Sequence, residues 1–177
     1  MIFKATALAG VFVIEPERHE DERGFFARTW DHEELRAHGL DATIAQASVS
    51  FNRRRGTLRG LHYQAAPFEE AKLVRVTRGA VFDVVVDARS SSPTRGQHVA
   101  VTLGAEEGNQ IFIPVGCAHG FQTLADATEV SYLISARYSP EHGGGFRFDD
   151  PTLAIPWPEP VTAISARDRE LPPFPAE

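Results

Sequence analysis

Three short segments concentrate polar side chains where a β-rich interior would not ask for them. The first is Arg59-Gly60-Leu61-His62-Tyr63-Gln64. On an extended strand, alternation puts Arg59, Leu61 and Tyr63 on one face and Gly60, His62 and Gln64 on the other. The second, Lys72-Leu73-Val74-Arg75-Val76, groups Lys72 with Val74 and Val76. The third, Pro114-Val115-Gly116-Cys117-Ala118-His119-Gly120-Phe121, reads as a turn delivering His119 to the start of a strand. Singly, each has a bland explanation: a strand histidine usually satisfies a hydrogen bond, and a strand lysine snorkels to solvent. Together, two histidines, a lysine and an arginine on neighbouring strands are costly to bury unless they meet a charged ligand or one another. Such a cluster suits an anionic small molecule, a phosphate or diphosphate.

The rest of the chain narrows that chemistry. Its 177 residues carry 18 basic and 24 acidic side chains, a net charge of −6, which argues against a nucleic-acid-binding surface. The run Arg53-Arg54-Arg55 is too short to reverse this and reads as a loop before the Leu58–Gln64 strand. A hydrophobic content of 42%, with twelve Phe and two Trp, supports a real core and excludes disorder. One domain over residues 1–177 is expected. The one cysteine, Cys117, excludes an internal disulfide framework, and nothing local marks it as a stabilised thiolate. Only two lysines occur, Lys4 and Lys72, so Lys72 is the one interior lysine.

No run reaches the roughly 18 apolar residues that a membrane span needs. The apolar stretch after Lys4 runs into Glu15-Pro16 rather than a small-residue cleavage site, so a cytoplasmic protein is expected. The sequence contains no Gly-rich dinucleotide fingerprint, phosphate loop, nucleophile elbow or His-Glu-x-x-His helix.

The elements that must position the polar segments are short strands. Val11–Ile14, Thr43–Phe51, Lys72–Thr77, Val81–Asp87, Gln97–Leu103, Gln110–Pro114, Gly120–Leu124 and Glu129–Ser135 are rich in β-branched or aromatic residues. Turn residues such as Arg78-Gly79, Ser92-Pro93 and Gly108-Asn109 separate them. Strands so spaced, without intervening helices, indicate a sandwich or barrel. One short outer helix is expected over His32–His38, with Asp31 as N-cap, Glu34 three residues on and Gly39 as the stop. The Pro-rich tail from Pro151 is expected to wrap the surface, with a turn or helix near Ile164–Leu171.

Seven collinear segments carry a resemblance. They are Asp21-Glu22-Arg23-Gly24-Phe25-Phe26, Leu58 to Gln64, Lys72 to Val76, Val81 to Asp87, Ser92-Pro93-Thr94, Ile113-Pro114 with Ala118-His119-Gly120-Phe121, and Ser139-Pro140-Glu141 to Asp149-Asp150-Pro151. In this order they resemble the dTDP-4-dehydrorhamnose 3,5-epimerase family. The resemblance implies an all-β, cupin-type jelly roll with one or two short peripheral helices, a homodimer, and a nucleotide-diphosphate-linked 4-keto-6-deoxyhexose as substrate. It implies no metal and no organic cofactor.

Roles are implied residue by residue. His62 matches the general base, Asp168 the carboxylate that orients it, and Tyr132 the acid that reprotonates the opposite face. Lys72 and His119 match stabilisers of the sugar's C4 oxygen. Arg59 and Arg23 match diphosphate or nucleotide ligands, Arg23 reaching across from the partner subunit. Phe26, Gln46 and Tyr138 fall at substrate and nucleotide contacts.

The chemistry agrees with these types. A 4-keto group acidifies the protons on C3 and C5, and a base and an acid on opposite faces invert the centre; each such group is typically worth about 10²–10⁴-fold. The developing enolate needs a preorganised cation or donor. The chain departs from the family at Ala47-Ser48, where Asp-Asn is usual, at Arg28, where an acidic residue near the base is common, and at Leu133 and Ala136. These departures bear on the base and the exact sugar. Epimerisation at C3 alone or C5 alone also stays open, because relatives with the same catalytic set differ in this, as does a non-catalytic sugar-nucleotide-binding cupin. A metal-dependent cupin would need a His-x-His pair, and here His62 is followed by Gln64, with Lys72 hostile to a cation.

Overall fold

The structure is a computed structural model and describes residues 1–175. Along the chain lie β1 (Ile2–Ala5), β2 (Phe12–Glu15), β3 (His19–Asp21), β4 (Gly24–Phe26), α1 (His32–Ala37), β5 (Gln46–Asn52), β6 (Leu58–Gln64) and β7 (Lys72–Arg78). They are followed by β8 (Ala80–Asp87), β9 (His98–Gly104), β10 (Gln110–Ile113), β11 (Cys117–Thr123), β12 (Thr128–Ile134), β13 (Gly143–Gly145) and α2 (Ala166–Arg169). One sheet has the order β1-β2-β10-β7-β12-β5 and the other β13-β6-β11-β8-β9, with all pairings antiparallel. A two-stranded hairpin, β3–β4, stands apart from both.

Alternation explains why the two sheets close on each other. Val74 and Val76 of β7, Ile111 and Ile113 of β10 and Val130 of β12 share one buried cluster with Val81 and Val85 of β8 and Phe121 of β11. This cluster lies between the sheets, as in a jelly roll. The outer faces are covered too. Helix α1 inserts Leu35 against Leu73 and Phe112 on the back of the six-stranded sheet. The C-terminal tail lays Leu153, Trp157 and Phe174 against Leu61, Val84 and Val86 on the back of the five-stranded one. With both faces covered, β8 reads as a continuous apolar run, Val84-Val85-Val86.

Most sequence-based elements are present, with shifted ends. Asp31 caps α1 by accepting from the backbone N–H groups of Glu33 and Glu34, and Gly39 adopts φ +71° just beyond the helix. The first strand is Ile2–Ala5 rather than the expected Val11–Ile14, which forms the second as Phe12–Glu15, and β11 starts at Cys117, three residues before the expected Gly120. His119 therefore sits inside a strand rather than at its entry. Its neighbours have weak strand preference, and the seven-residue register with β8 overrides it. Among the described residues no helix is long and apolar enough to cross a membrane.

The strand that carries His62 departs from simple alternation. Between the pairs His119–His62 and Phe121–Arg59, β6 advances three residues while β11 advances two. This bulge turns Arg59 to the same side as His62, whereas Leu61 packs outward and the Tyr63 ring stacks on Phe146; regular alternation had put Arg59 with Leu61 and Tyr63. Gly60 makes the bulge possible. Its φ is +103°, and a Cβ there would lie 2.6 Å from the His119 carbonyl oxygen and 2.7 Å from Gly120 Cα.

Candidate active site

A cavity of about 860 Å³ opens between the sheets. Its lining includes His62, Lys72, His119, Tyr132 and Asp168, together with Arg59, Gln46 and Tyr138. Eight of the ten site residues expected from the sequence are thus brought together. Arg23 and Phe26 are not. They lie on the β3–β4 hairpin, Arg23 84% exposed and bonded to Asp21, and Phe26 beside Met1, His19 and Arg28. Arg28 lies in that separate hollow, 3.6 Å from Asp31 and outside the main cavity, so it does not neighbour the His62 of its own chain. Arg53, Arg54 and Arg55 also stay outside the cavity, Arg55 pairing with Glu159.

His62 and Asp168 are 106 positions apart in sequence, and the tail joins them. Leu58 N–H donates to the Ala163 carbonyl and Thr162 N–H to that of Gly56, pinning the tail beside β6. Ser165 then caps α2 by accepting from the Asp168 N–H at 3.0 Å. The carboxylate receives His62 Nε2 at 2.7 Å on Oδ1 and the Gly60 N–H at 3.1 Å on Oδ2. Burial opposes the charge on Asp168, but the bonds from His62, Gly60 and Ser165 outweigh it and hold the carboxyl below its ordinary range. His62 Nδ1 is left free of Asp168, and the side chain keeps 38% exposure.

Tyr132 stands on the opposite wall. It projects inward from β12 of the six-stranded sheet, while His62 projects from β6 of the five-stranded one. Burial, reinforced by the Asp83 carboxylate, pushes its phenol above the ordinary tyrosine value, so it stays protonated. Its ring meets that of His119 edge-on at 6.3 Å.

Several partners of these residues escaped the sequence reading. Asp83, wholly buried on β8, receives His119 Nε2 at 2.8 Å. Asn52 at the end of β5 accepts from Arg59 Nε at 2.8 Å, and its own amide donates to the Thr128 carbonyl. Glu70 meets Lys72 Nζ at 2.8 Å. Arg167, one residue before Asp168, lines the cavity and donates to the Tyr138 hydroxyl at 3.3 Å. Of these, only Glu70 left a usable local signal, because residues two apart on an extended chain share a face.

The remaining candidates are quieter. Lys4 is exposed and paired with Glu15, which leaves Lys72 as the one interior lysine. Cys117 is packed in the apolar cluster, and burial pushes its thiol up to about 11, so it is not a thiolate. Leu133 points to the α1 side, away from the cavity, whereas Ser48 lines it. Among the described residues no three His, Cys, Asp or Glu side chains gather as a metal-binding group.

The chain matches known proteins over nearly its whole length. The family model described as dTDP-4-dehydrorhamnose 3,5-epimerase matches residues 5–176. A dTDP-4-dehydrorhamnose 3,5-epimerase of Sinorhizobium fredii is 42% identical over 173 residues, covering 97% of this chain and 89% of that one. The structure of the Bacillus anthracis enzyme of that name, with TDP and PPi bound, superposes with a TM-score of 0.92 at 38% identity, covering 97% and 98% of the two chains. That of a Legionella pneumophila dTDP-6-deoxy-D-glucose-3,5-epimerase in complex with dTDP-4-keto-L-rhamnose superposes with a TM-score of 0.91 at 38% identity, covering 98% and 92%. Sequence, fold and cavity converge, and the chain belongs to the dTDP-4-dehydrorhamnose 3,5-epimerase family.

Proposed function

We propose that the protein epimerises C3 and C5 of a dTDP-linked 4-keto-6-deoxyhexose, without a cofactor, by proton transfer through an enolate. One observation carries this reading: His62 and Tyr132 project from opposite sheets into one cavity. In each inversion a C–H bond next to the C4 carbonyl breaks and its proton goes to His62. The electron pair moves onto the C4 oxygen, where Lys72 and His119 supply positive charge and hydrogen-bond donors. Tyr132 then gives its phenolic proton to the other face of the same carbon. Proton exchange with solvent restores His62 and Tyr132 before the second centre is turned over.

Hydrogen-bond partners sort the basic side chains of the cavity by task. His62, His119 and Lys72 each have a carboxylate, whereas Arg59 bonds to an amide and Arg167 to a phenol. The arginines keep their charge for an external anion, which suits the diphosphate. Gln46 and Tyr138, joined by a bond from the Tyr138 N–H to Gln46 Oε1, are assigned to the nucleotide.

The active form is a homodimer in this reading, with Arg23 and Phe26 serving the partner's cavity. Their exposure on a projecting hairpin supports it, as do exposed Val49 and Phe51 on edge strand β5. The whole chain acts as one domain in the cytoplasm, with no nucleic-acid partner.

The test is solvent exchange. Incubated in D₂O with dTDP-4-keto-6-deoxyglucose, the protein is expected to incorporate deuterium at both C3 and C5, followed by NMR, and His62→Ala to incorporate none. Exchange at one carbon would make it a single-centre epimerase; exchange at neither would leave a binding protein.

A further inference from the structure

We propose that Glu70 is a positioning residue for catalysis, acting solely through Lys72. The pair is a nearly buried one: Nζ and Oε1 are 2.8 Å apart, with side-chain exposures of 11% and 10%, and both residues line the cavity. A lysine on a flexible four-carbon stem does not by itself present its ammonium in one direction. Glu70 occupies one of the three ammonium donors and leaves the others for the cavity. An oriented donor already in place when charge develops on the sugar oxygen needs no reorganisation during the reaction.

The segment carrying Glu70 is itself fastened on both sides. Gln64 Nε2 donates to the Phe68 carbonyl at 2.8 Å. On the other side Ala71 N–H donates to Ser135 Oγ at 2.8 Å, and Ser135 N–H returns a bond to the Ala71 carbonyl at 3.0 Å. Gln64 Oε1 also accepts from the Ser139 N–H, so the same buried amide ties this loop to the segment that leads from Tyr138. A carboxylate on so restrained a loop holds its partner in place rather than following it. The carboxylate pairs of His62 and His119 set the same pattern, which makes Glu70 the third acidic residue that fixes a cationic or titratable group in this cavity.

The proposal rests on the reading of Lys72 as the stabiliser of the C4 oxygen, and a double-mutant cycle separates the two. Deuterium exchange at C3 and C5 of dTDP-4-keto-6-deoxyglucose is measured for E70Q, E70D, K72M and E70Q/K72M, alongside dTDP affinity. Glu70→Gln keeps shape and an acceptor but removes the charge. It is expected to slow exchange at both carbons about tenfold, less than the 10²–10³-fold typical of deleting an oxyanion donor outright. Its dTDP affinity stays within about twofold by the same reasoning, since the lost interaction belongs to the transition state. Glu70→Asp, which keeps the charge, is expected to recover most of the rate. In the Lys72→Met background Glu70→Gln should change nothing further. An equal additional loss in that background, or a loss confined to dTDP affinity, overturns the role of Glu70 alone. Full exchange by Lys72→Met overturns the Lys72 reading and the proposal with it.

Discussion

Replacing Asp168 by asparagine removes one acceptor from a group that uses two. Oδ1 receives His62 Nε2 at 2.7 Å and Oδ2 receives the Gly60 N–H at 3.1 Å. An amide offers one oxygen and one NH₂ group, so one of these partners must face a donor. If the oxygen stays with His62, the buried Gly60 N–H meets a second donor and loses its bond, at about 1–3 kcal/mol. If the amide flips, it donates to Nε2 and forces the imidazole proton onto Nδ1. The nitrogen facing the cavity then no longer accepts a proton.

The second arrangement satisfies every backbone group and is the expected one. The corresponding change in serine proteases produces the wrong tautomer and lowers kcat about 10⁴-fold. A general base is typically worth about 10²–10⁴-fold. Asp168→Asn is therefore expected to lower kcat by about 10²–10⁴-fold, equivalent to roughly 3–5 kcal/mol of barrier. Affinity for dTDP should stay close to that of the unaltered protein, because both bonds of the carboxylate are to protein groups. Deuterium incorporation at C3 and C5 by NMR, with circular dichroism as the folding control, measures the effect. Exchange within tenfold of the unaltered protein, in a folded variant, would refute the argument that the carboxylate sets the tautomer of His62.

Other substitutions separate the remaining roles. Tyr132→Phe should leave proton abstraction by His62 in place, so deuterium still enters while the inverted product falls about 10²–10⁴-fold, read by NMR of product stereochemistry. Arg59→Ala removes a charged donor and should weaken dTDP binding about 10–100-fold, with a shallower salt dependence by calorimetry; an unchanged affinity would remove Arg59 from the diphosphate. Asp87 offers a pH test: burial opposes its charge, but bonds from Arg89, Ser92 and Thr94 outweigh that and hold it well below the usual carboxylate range. A lowered native value gives stability that is full above the unfolded value, about 3.9, and is lost as pH falls toward the native one. Asp87→Asn should therefore lower Tm at pH 7 and flatten its decline between about pH 5 and 2; a decline as steep as before would place the acid sensitivity elsewhere.

Much of this protein is decided by short-range pattern. Residues two apart on β7 share a face wherever the strand lies, so Lys72, Val74 and Val76 were legible as one inward row. The Asp31 cap and Gly39 stop of α1 are equally local, since each acts on its own turn of backbone. The collinear motifs carried the family, and with it the chemistry expected of His62, Lys72, His119, Tyr132 and Asp168.

What the sequence by itself left undecided is relative register and which carboxylate meets which cation. Alternation assigned Arg59 to the wrong side of β6, because a bulge is defined by the count on the partner strand, not by its own residues. Asp83 reads as one acid within the apolar run of β8 until pairing with β11 brings His119 to it. Glu70 and Lys72 lie two residues apart, yet only the shared depth in the cavity makes them a buried pair. Asp168 reaches His62 across 106 positions because the tail folds back along β6. Side-chain type and period travel with the chain, but the opposition of His62 and Tyr132 exists only once two sheets are stacked. A local pattern specifies which face a residue takes, and tertiary packing decides what that face meets.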